Sequence, residues 1–255
     1  MDYKRSFRDV FRGIPKPIIG MIHLAGKNSK EKIERAKEEL NIFEEEGING
    51  ALFEDFHGTP KDVFDVLGEC MYLNKNVVLG ANILKNPYEA FQFTDYKNSF
   101  WRGVRFIQFD SVQTKDLDEE TYLYYKNQFP CVVLGGVGFK YTGETGNSLD
   151  KDLVECMPRC EAIVTTGSGT GIETPMGKLE TYRKEIDKIQ RGFPLIVGAG
   201  ITADNAYEQL MISDGAIVGS FLKYGNNTNN KIDRERVEML MKVVRKVRSD
   251  WAYSH

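Results

Sequence analysis

The chain has 255 residues, a length that suits one α/β barrel, and its 41% hydrophobic and 28% charged residues are ordinary for a globular domain. Its net charge of −3 gives no reason to expect nucleic-acid binding, which usually needs a basic face. The longest apolar stretches are too short to span a bilayer, and the first residues lack the apolar core of a signal peptide. We therefore expect a cytoplasmic protein that neither binds nucleic acid nor inserts into a membrane.

The four cysteines, Cys70, Cys131, Cys156 and Cys160, form no CxxC pair. Cys156 and Cys160 share a helical spacing, but no histidine near them completes a zinc-binding set. We therefore predict reduced, structural thiols and no metal site built on cysteine.

Short apolar runs, rich in β-branched residues, alternate along the chain with charged amphipathic stretches of helical length. The predicted strands are Ile18–His23, Gly50–Phe53, Val77–Asn82, Val104–Asp110, Cys131–Gly135, Ala162–Thr166, Leu195–Gly198 and Ala216–Gly219. The predicted helices are Lys30–Glu46, Lys61–Leu73, Pro87–Asn98, Asp116–Asn127, Leu149–Met157, Gly177–Gln190, Ala203–Met211 and Asp233–Ser249. Continuous apolar strands separated by helices indicate a parallel sheet whose faces the helices cover.

Eight such strand–helix units predict a single (β/α)₈ barrel over residues 1–255, with residues 1–16 as an N-terminal extension. The competing fold, a doubly wound open sheet, would normally carry a GxGxxG turn after its first strand, and Met21–Gly26 has none. No proline- or serine-rich linker divides the chain. The sequence leaves open whether the barrel forms a homo-oligomer.

Polar residues gather at the ends of the predicted strands, and the active site of such a barrel is built where its strands end. The catalytic candidates are His23, Glu54, Asp55, Asp110 and Lys140. Two further polar residues at strand ends, Asn82 and Thr166, are candidates for substrate binding. The pattern predicts a catalytic mouth at this rim of the barrel.

Each candidate also has a structural interpretation. Glu54 and Asp55 are adjacent, so on a strand their side chains point to opposite sides, and at most one faces straight into the mouth. His23 could be a packed, hydrogen-bonded residue rather than a catalytic one. Asp110 closes an apolar strand, where an acid is costly to bury, and the next predicted helix begins too late for it to be the helix cap. For Asp110 we favour a functional role.

Two glycine-rich segments end the last two strands, Val197–Thr202 and Ala216–Ser220. Glycine lets backbone N–H groups approach an anion closely, and barrels often bind phosphate with these two loops. The alternative is that Gly198 and Gly200 only turn the chain tightly. Taken together, the loops predict a phosphate-binding site formed by Gly198, Gly200, Gly219 and Ser220.

These motifs resemble those of the BtpA/SgcQ family of barrel proteins from about Pro17 to Arg248. The matching pieces are Ile19–Leu24, Glu54, Leu79–Leu84, Thr166–Gly167, Thr170–Gly171, Val197–Thr202 with Asn205, Ser213–Ser220 and Lys223. Asp55 and Asp110 stand where members of the family commonly carry asparagine, and Tyr141 stands where histidine is common. The resemblance implies a barrel whose last two loops are similar to those of ribose-phosphate-binding barrels. It also implies links to photosystem I assembly in one member and to sugar-uptake genes in another.

The leading functional hypothesis is an enzyme that acts by acid–base chemistry on a phosphorylated sugar, ribosyl or nucleotide-like small molecule. The reaction could be that of a lyase, an isomerase or a glycosidic hydrolase. No cofactor is predicted, although a divalent cation could bind at the acids, and a magnesium- or manganese-dependent hydrolase using Glu54, Asp55 and Asp110 is one alternative. The other alternative, which the resemblance suggests, is a non-enzymatic assembly or biogenesis factor.

Overall fold

The computed structural model describes residues 6–73, 76–94, 103–129 and 131–254. Its eight parallel strands close into a barrel in chain order, each bonded to the next and β8 bonded to β1. The strands are β1 Ile18–Ile22, β2 Gly50–Glu54, β3 Val78–Asn82, β4 Val104–Phe109, β5 Val132–Gly136, β6 Ala162–Thr165, β7 Leu195–Val197 and β8 Gly215–Val218. The predicted (β/α)₈ fold is confirmed.

The helices are α1 Phe7–Val10, α2 Ser29–Glu46, α3 Pro60–Cys70, α4 Glu119–Gln128, α5 Leu149–Cys156, α6 Met176–Ile189, α7 Ala206–Ile212 and α8 Arg234–Ser254. Local signals fix several of their ends. Asn28 caps α2 by accepting a hydrogen bond from the backbone of Glu31, and α2 stops at Gly47, whose φ is 84°. In α3, Thr59 and Asp62 form a reciprocal capping box.

Alternate residues of each strand face the barrel interior or the surrounding helices. Met21, Leu52 and Phe106 belong to the interior cluster, whereas Ile22 and Phe53 pack in the outer cluster with the helices. This alternation continues to the strand ends, so the sequence decides which polar side chains enter the mouth.

The opposite end of the barrel is closed by the N-terminal segment. Phe11 of this segment is buried, and its ring lies 5.5 Å from that of Phe106 in the interior. Arg248 of α8 donates hydrogen bonds to the carbonyls of Pro15 and Lys16, so the two terminal segments pack together. Among the described helices, none is long and apolar enough to cross a membrane.

Several helix bounds differ from the prediction: α3 ends at Cys70 rather than Leu73, and α4 begins at Glu119 rather than Asp116. Two further differences have an evident cause in the local structure. The segment predicted as Pro87–Asn98 is a 3₁₀ helix over Pro87–Thr94, and its predicted remainder, 95–98, lies outside the described residues. Its buried residues, Ala90, Phe91, Phe93 and Thr94, repeat at a spacing of three, which suits a 3₁₀ turn.

The other difference lies after β7. Helix α7 begins at Ala206 rather than the predicted Ala203. The side chain of Asn205 accepts a hydrogen bond from the backbone of Thr202 and holds these residues in a turn before the helix starts.

Candidate active site at the mouth of the barrel

A layer of polar side chains crosses the ends of three neighbouring strands. The strand register pairs Glu54 with Asn82 and Asn82 with Gln108. The side-chain nitrogen of Asn82 donates to Glu54 Oε2 at 2.8 Å and to Asp110 Oδ1 at 3.1 Å. Gln108 Nε2 also donates to Asp110 Oδ1, at 2.7 Å. The structure thus brings Glu54, Asn82 and Asp110 together and adds Gln108 to them.

The two carboxyl groups of this layer share a poorly solvated environment. Burial raises the pKa of Glu54 to about 8, and the neighbouring charge of Asp110 adds to the rise, while Lys140 and Asn82 oppose it. Burial also raises the pKa of Asp110, against the hydrogen bonds from Gln108 and Asn82. Proximity of two carboxyl groups disfavours ionisation of both. At neutral pH the arrangement supplies a protonated Glu54 beside Asp110.

The raised pKa of Glu54 predicts how stability changes with pH. The folded protein keeps this proton up to a pH of about 8, whereas the unfolded chain loses it near the ordinary value of 4.5. The folded state therefore binds more protons within this window, and the free energy of unfolding falls as the pH rises through it. We expect Glu54→Gln to flatten the fall of the melting temperature between about pH 5 and about pH 8. Parallel curves for the variant and the wild type would contradict the assignment, and the exposed Glu144→Gln serves as the control.

Asp55 takes a different position from Glu54. Its Oδ1 accepts a hydrogen bond from the backbone nitrogen of Leu84 at 2.8 Å, which ties the end of β2 to the loop after β3. Its Oδ2 is buried and has no hydrogen-bond partner among the described residues. Glu54 faces the mouth, and Asp55 anchors the adjoining loop.

His23 lies at the end of β1 and is 5% exposed. Its Nδ1 has no hydrogen-bond partner among the described residues, and the edge of its ring meets Phe56 with centroids 5.5 Å apart. Burial lowers the pKa of His23 well below its ordinary value, and the nearby charges of Lys223, His57 and Lys140 lower it further. The imidazole is therefore neutral at physiological pH and can exchange a hydrogen bond with a ligand.

Lys140 follows β5 and is half-buried. It lines a small cavity of about 30 Å³ together with His23, Glu54 and the glycine loops. Its ammonium lies 5.6 Å from the ring centre of Phe139 and lowers the pKa of both acids. Lys140 is thus placed to balance negative charge in the mouth.

The glycine loops after β7 and β8 form the opposite wall of the same cavity. Gly198, Gly200, Gly219 and Ser220 all line it. Gly200 has φ 69°, and a Cβ there would lie 2.3 Å from the backbone of Glu173 in the loop after β6. Gly200 therefore permits both the turn and the close approach of that loop.

A second, wider cavity adjoins the first on its outer side. Its volume is about 460 Å³, and four residues line both cavities: Thr170, Gly171, Gly200 and Ser220. The remaining lining consists of residues that carry no charge: Ile201, Thr202, Phe221, Asn226, Asn227 and Thr228. The glycine loops thus border both the inner cavity, which Glu54 lines, and an outer cavity lined by residues without charge.

Thr166 holds neighbouring loops rather than lining this cavity. Its hydroxyl accepts a hydrogen bond from the backbone nitrogen of Lys140 at 2.6 Å and donates to the carbonyl of Gly167 at 2.9 Å. The hydroxyl of Tyr141 accepts a bond from the backbone nitrogen of Thr170 at 3.0 Å and thus joins the same two loops. Both contacts fix the loops after β5 and β6 across the mouth.

Gln108 lies two residues before Asp110 but was not among the predicted site residues. Period-two alternation along β4 is the signal that could have found it, because residues two apart share a face of the strand. The outer wall formed by Asn226, Asn227 and Thr228 was also missed, and its position depends on contacts distant in sequence. Among the described residues, no three His, Cys, Asp or Glu side chains are grouped so that they could hold a metal ion.

All four cysteines are free and buried. Burial raises the pKa of Cys70, Cys131 and Cys156 to about 12, so these thiols stay protonated. Their environment fits the predicted structural role.

Solved structures with the same fold share little sequence with this chain. A tryptophan synthase structure from Mycobacterium tuberculosis has a TM-score of 0.67 at 13% identity, covering 93% of this chain and 97% of that one. Phosphoribosyl anthranilate isomerase from Thermus thermophilus has a TM-score of 0.59 at 13% identity, covering 91% and 99%. Orotidine 5′-phosphate decarboxylase from Pyrococcus horikoshii has a TM-score of 0.57 at 14% identity, covering 89% and 99%. At these identities, the likeness establishes the fold alone.

Sequence relatives cover nearly the whole chain. An uncharacterized protein of Pyrococcus horikoshii is 28% identical over 91% of this chain and 97% of its own length. The photosystem I biogenesis protein BtpA of Synechocystis is 24% identical over 89% of this chain and 88% of its own length. The model of the BtpA family matches residues 14–246, and the chain therefore belongs to the BtpA family.

Proposed function

We propose that this protein is an enzyme that acts by acid–base chemistry on a phosphorylated sugar, ribosyl or nucleotide-like small molecule. The observation that carries the proposal is that Glu54 and Asp110 bind the same amide of Asn82, at a mouth whose opposite wall is made of glycine loops. One wall offers groups that move protons, and the other offers backbone N–H groups that suit an anion.

The phosphate part of the proposal is supported by the shape of the loops after β7 and β8. Barrels frequently bind phosphate with these two loops, and glycine allows the backbone to approach an anion closely. The names of several structures with this fold designate phosphorylated compounds, among them orotidine 5′-phosphate and thiamine phosphate. We assign Gly200, Gly219 and Ser220 to the phosphate.

The two acids receive different roles because their environments differ. Glu54, with a pKa of about 8, carries a proton at neutral pH and is suited to be the general acid. Asp110 accepts two amide N–H bonds, which favour its charged form, and it is suited to be the general base. We assign Lys140 to charge that develops on the substrate, and His23 to substrate orientation.

Ligand-induced stabilisation tests the phosphate site before any substrate is known. In a thermal-shift screen of sugar and nucleoside phosphates beside their dephosphorylated forms, we expect only phosphorylated compounds to raise the melting temperature. Ser220→Asp should weaken the binding of these compounds at least about tenfold, because it places a carboxylate where the phosphate binds.

The matched control is Ser148→Asp, the same change at an exposed position before α5. Its affinity should equal that of the wild type. Equal losses of phosphorylated and dephosphorylated ligands in Ser220→Asp would mean that the loop shapes the mouth without binding phosphate. An unaltered affinity in Ser220→Asp would also contradict the assignment.

The second candidate function is a role in the assembly of a protein complex. The name of the Synechocystis relative, photosystem I biogenesis protein, designates such a role for that protein. This candidate rests on the family alone, and it leaves the shared contact of Glu54 and Asp110 with Asn82 without a purpose. A metal-dependent hydrolase using Glu54, Asp55 and Asp110 finds less support than acid–base chemistry, since Asp55 is turned to the backbone of Leu84. We therefore rank both below the acid–base enzyme.

A further inference from the structure

The two sides of the mouth differ in the charge that surrounds them. Around His23, the neighbouring charges are cations, and they lower the pKa of its imidazole together with burial. Around Glu54 and Asp110, the neighbouring charges are the carboxylates of each other and of Asp55, opposed by the ammonium of Lys140. The side next to the glycine loops therefore favours an anion, and the side across β2–β4 favours a cation.

The side of the mouth at Glu54 and Asp110 also contains a buried hydrogen-bond acceptor that no described donor meets. Glu54 and Asp110 share one donor group, the amide nitrogen of Asn82. Gln108 is 1% exposed, and its Oε1 has no hydrogen-bond partner among the described residues, because its Nε2 is turned to Asp110. A buried acceptor without a donor is costly, so this side is completed by a group that brings N–H or O–H donors.

The balance of charge in the mouth favours a charged N–H donor over a neutral O–H donor. Of the described residues that line the inner cavity, Lys140 alone carries a cationic side chain. Even with Glu54 protonated, the carboxylates of Asp110 and Asp55 outnumber this one cation. A hydroxyl group would supply a donor but leave the excess of negative charge. An ammonium group supplies three donors and a positive charge together.

We propose that the ligand carries an amine at the end opposite its phosphate, so that its phosphate binds the glycine loops while its ammonium binds between Glu54, Asp110 and Gln108. The chemical class is a phosphorylated amine, such as the phosphate ester of an amino sugar or an amino alcohol. This inference rests on the proposed phosphate site and adds the identity of the group at the other end.

Matched pairs of probes that differ only in the amine test this proposal by calorimetry at pH 7. One pair is glucosamine 6-phosphate and glucose 6-phosphate, and a smaller pair is 2-aminoethyl phosphate and 2-hydroxyethyl phosphate. In at least one pair, we expect the amine to bind at least about tenfold more tightly than the hydroxyl compound, the size of one charge-assisted hydrogen bond. Glu54→Gln with Asp110→Asn should reduce this ratio to about one, whereas the exposed Glu144→Gln should leave it unchanged.

Proton release gives a second readout, which a merely structural role of these acids would not change. An ammonium beside Glu54 lowers its pKa, so we expect binding of the amine to release up to about one proton at pH 7, and the hydroxyl partner to release none. The number of protons released on binding is measured by repeating the calorimetric titration in buffers of different ionisation enthalpy.

The outcomes separate the two proposals. If phosphorylated probes bind better than glucosamine and glucose but the amine gives no advantage in either pair, the amine proposal is wrong and the phosphate site stands. If phosphate makes no difference to binding, or if no probe binds, the phosphate site fails and the amine proposal fails with it. If Mg²⁺ alone raises the melting temperature and the double variant abolishes this rise, the site binds a metal ion rather than an ammonium group, and the amine proposal is wrong.

Discussion

Replacing Asp110 by asparagine is expected to lower turnover of a phosphorylated substrate at least about a hundredfold, the usual contribution of a positioned acid or base. Asparagine has nearly the same shape, and its carbonyl oxygen can still accept the hydrogen bonds that Gln108 and Asn82 donate. We therefore expect the melting temperature to hold or to rise slightly, since the variant removes the cost of desolvating the charge of Asp110. The measurement is turnover and melting temperature of the variant beside those of the wild type.

The pH profile of this variant gives a separate check. The charge of Asp110 contributes to the raised pKa of Glu54, so its removal should move the alkaline limb of the residual activity to lower pH. Asp150→Asn, at an exposed position of α5, is the matched control and should leave both turnover and profile unchanged. Normal turnover in Asp110→Asn would show that Asp110 is neither the acid nor the base. Unfolding of the variant would show that its role is structural.

The second large effect is expected at a buried ion pair behind the mouth. The ammonium of Lys223 is completely buried and lies 2.9 Å from Glu39 of α2, which also accepts a bond from Arg35. Lys223 follows the short helix Ser220–Leu222, so the pair holds the loop after β8 against α2. Replacing Glu39 by leucine leaves a buried ammonium without its carboxylate, and we expect a loss of about 3–5 kcal/mol in the free energy of unfolding.

The double variant Glu39→Leu, Lys223→Met separates burial of a charge from loss of packing. It removes both charges from the buried site, and we expect it to recover most of the stability that the single variant loses. Glu69→Leu, in the more exposed pair with Lys37, should cost less than about 1 kcal/mol. Urea unfolding measures all three variants. A cost below about 1 kcal/mol for Glu39→Leu would mean that Lys223 finds water or another partner.

The sequence was sufficient to predict the barrel and one side of the mouth. The apolar runs located all eight strands, because each strand is buried on both faces and therefore reads as a continuous hydrophobic segment. Because adjacent side chains of a strand point to opposite sides, the sequence predicted that at most one of Glu54 and Asp55 would face straight into the mouth. In the structure Glu54 binds Asn82, whereas Asp55 binds the backbone of Leu84. These features depend on residues near in sequence.

Other features of the site depend on contacts that pattern alone cannot supply. The joining of the loops after β5 and β6 by Tyr141 and Thr170 unites residues 29 apart. The outer wall at Asn226–Thr228 includes the hydrogen bond between Thr228 and His57, 171 residues apart. Loop positions set by such distant partners leave no local periodicity to read.

A crystal structure of the protein with the phosphorylated compound that raises its melting temperature most would test the proposed function directly. We predict that the phosphate lies within hydrogen-bond distance of the backbone nitrogens of Gly200, Gly219 and Ser220. The other end of the compound should contact the carboxyl groups of Glu54 and Asp110. A phosphate bound anywhere else on the barrel, or a ligand that leaves both acids untouched, would contradict the proposed function.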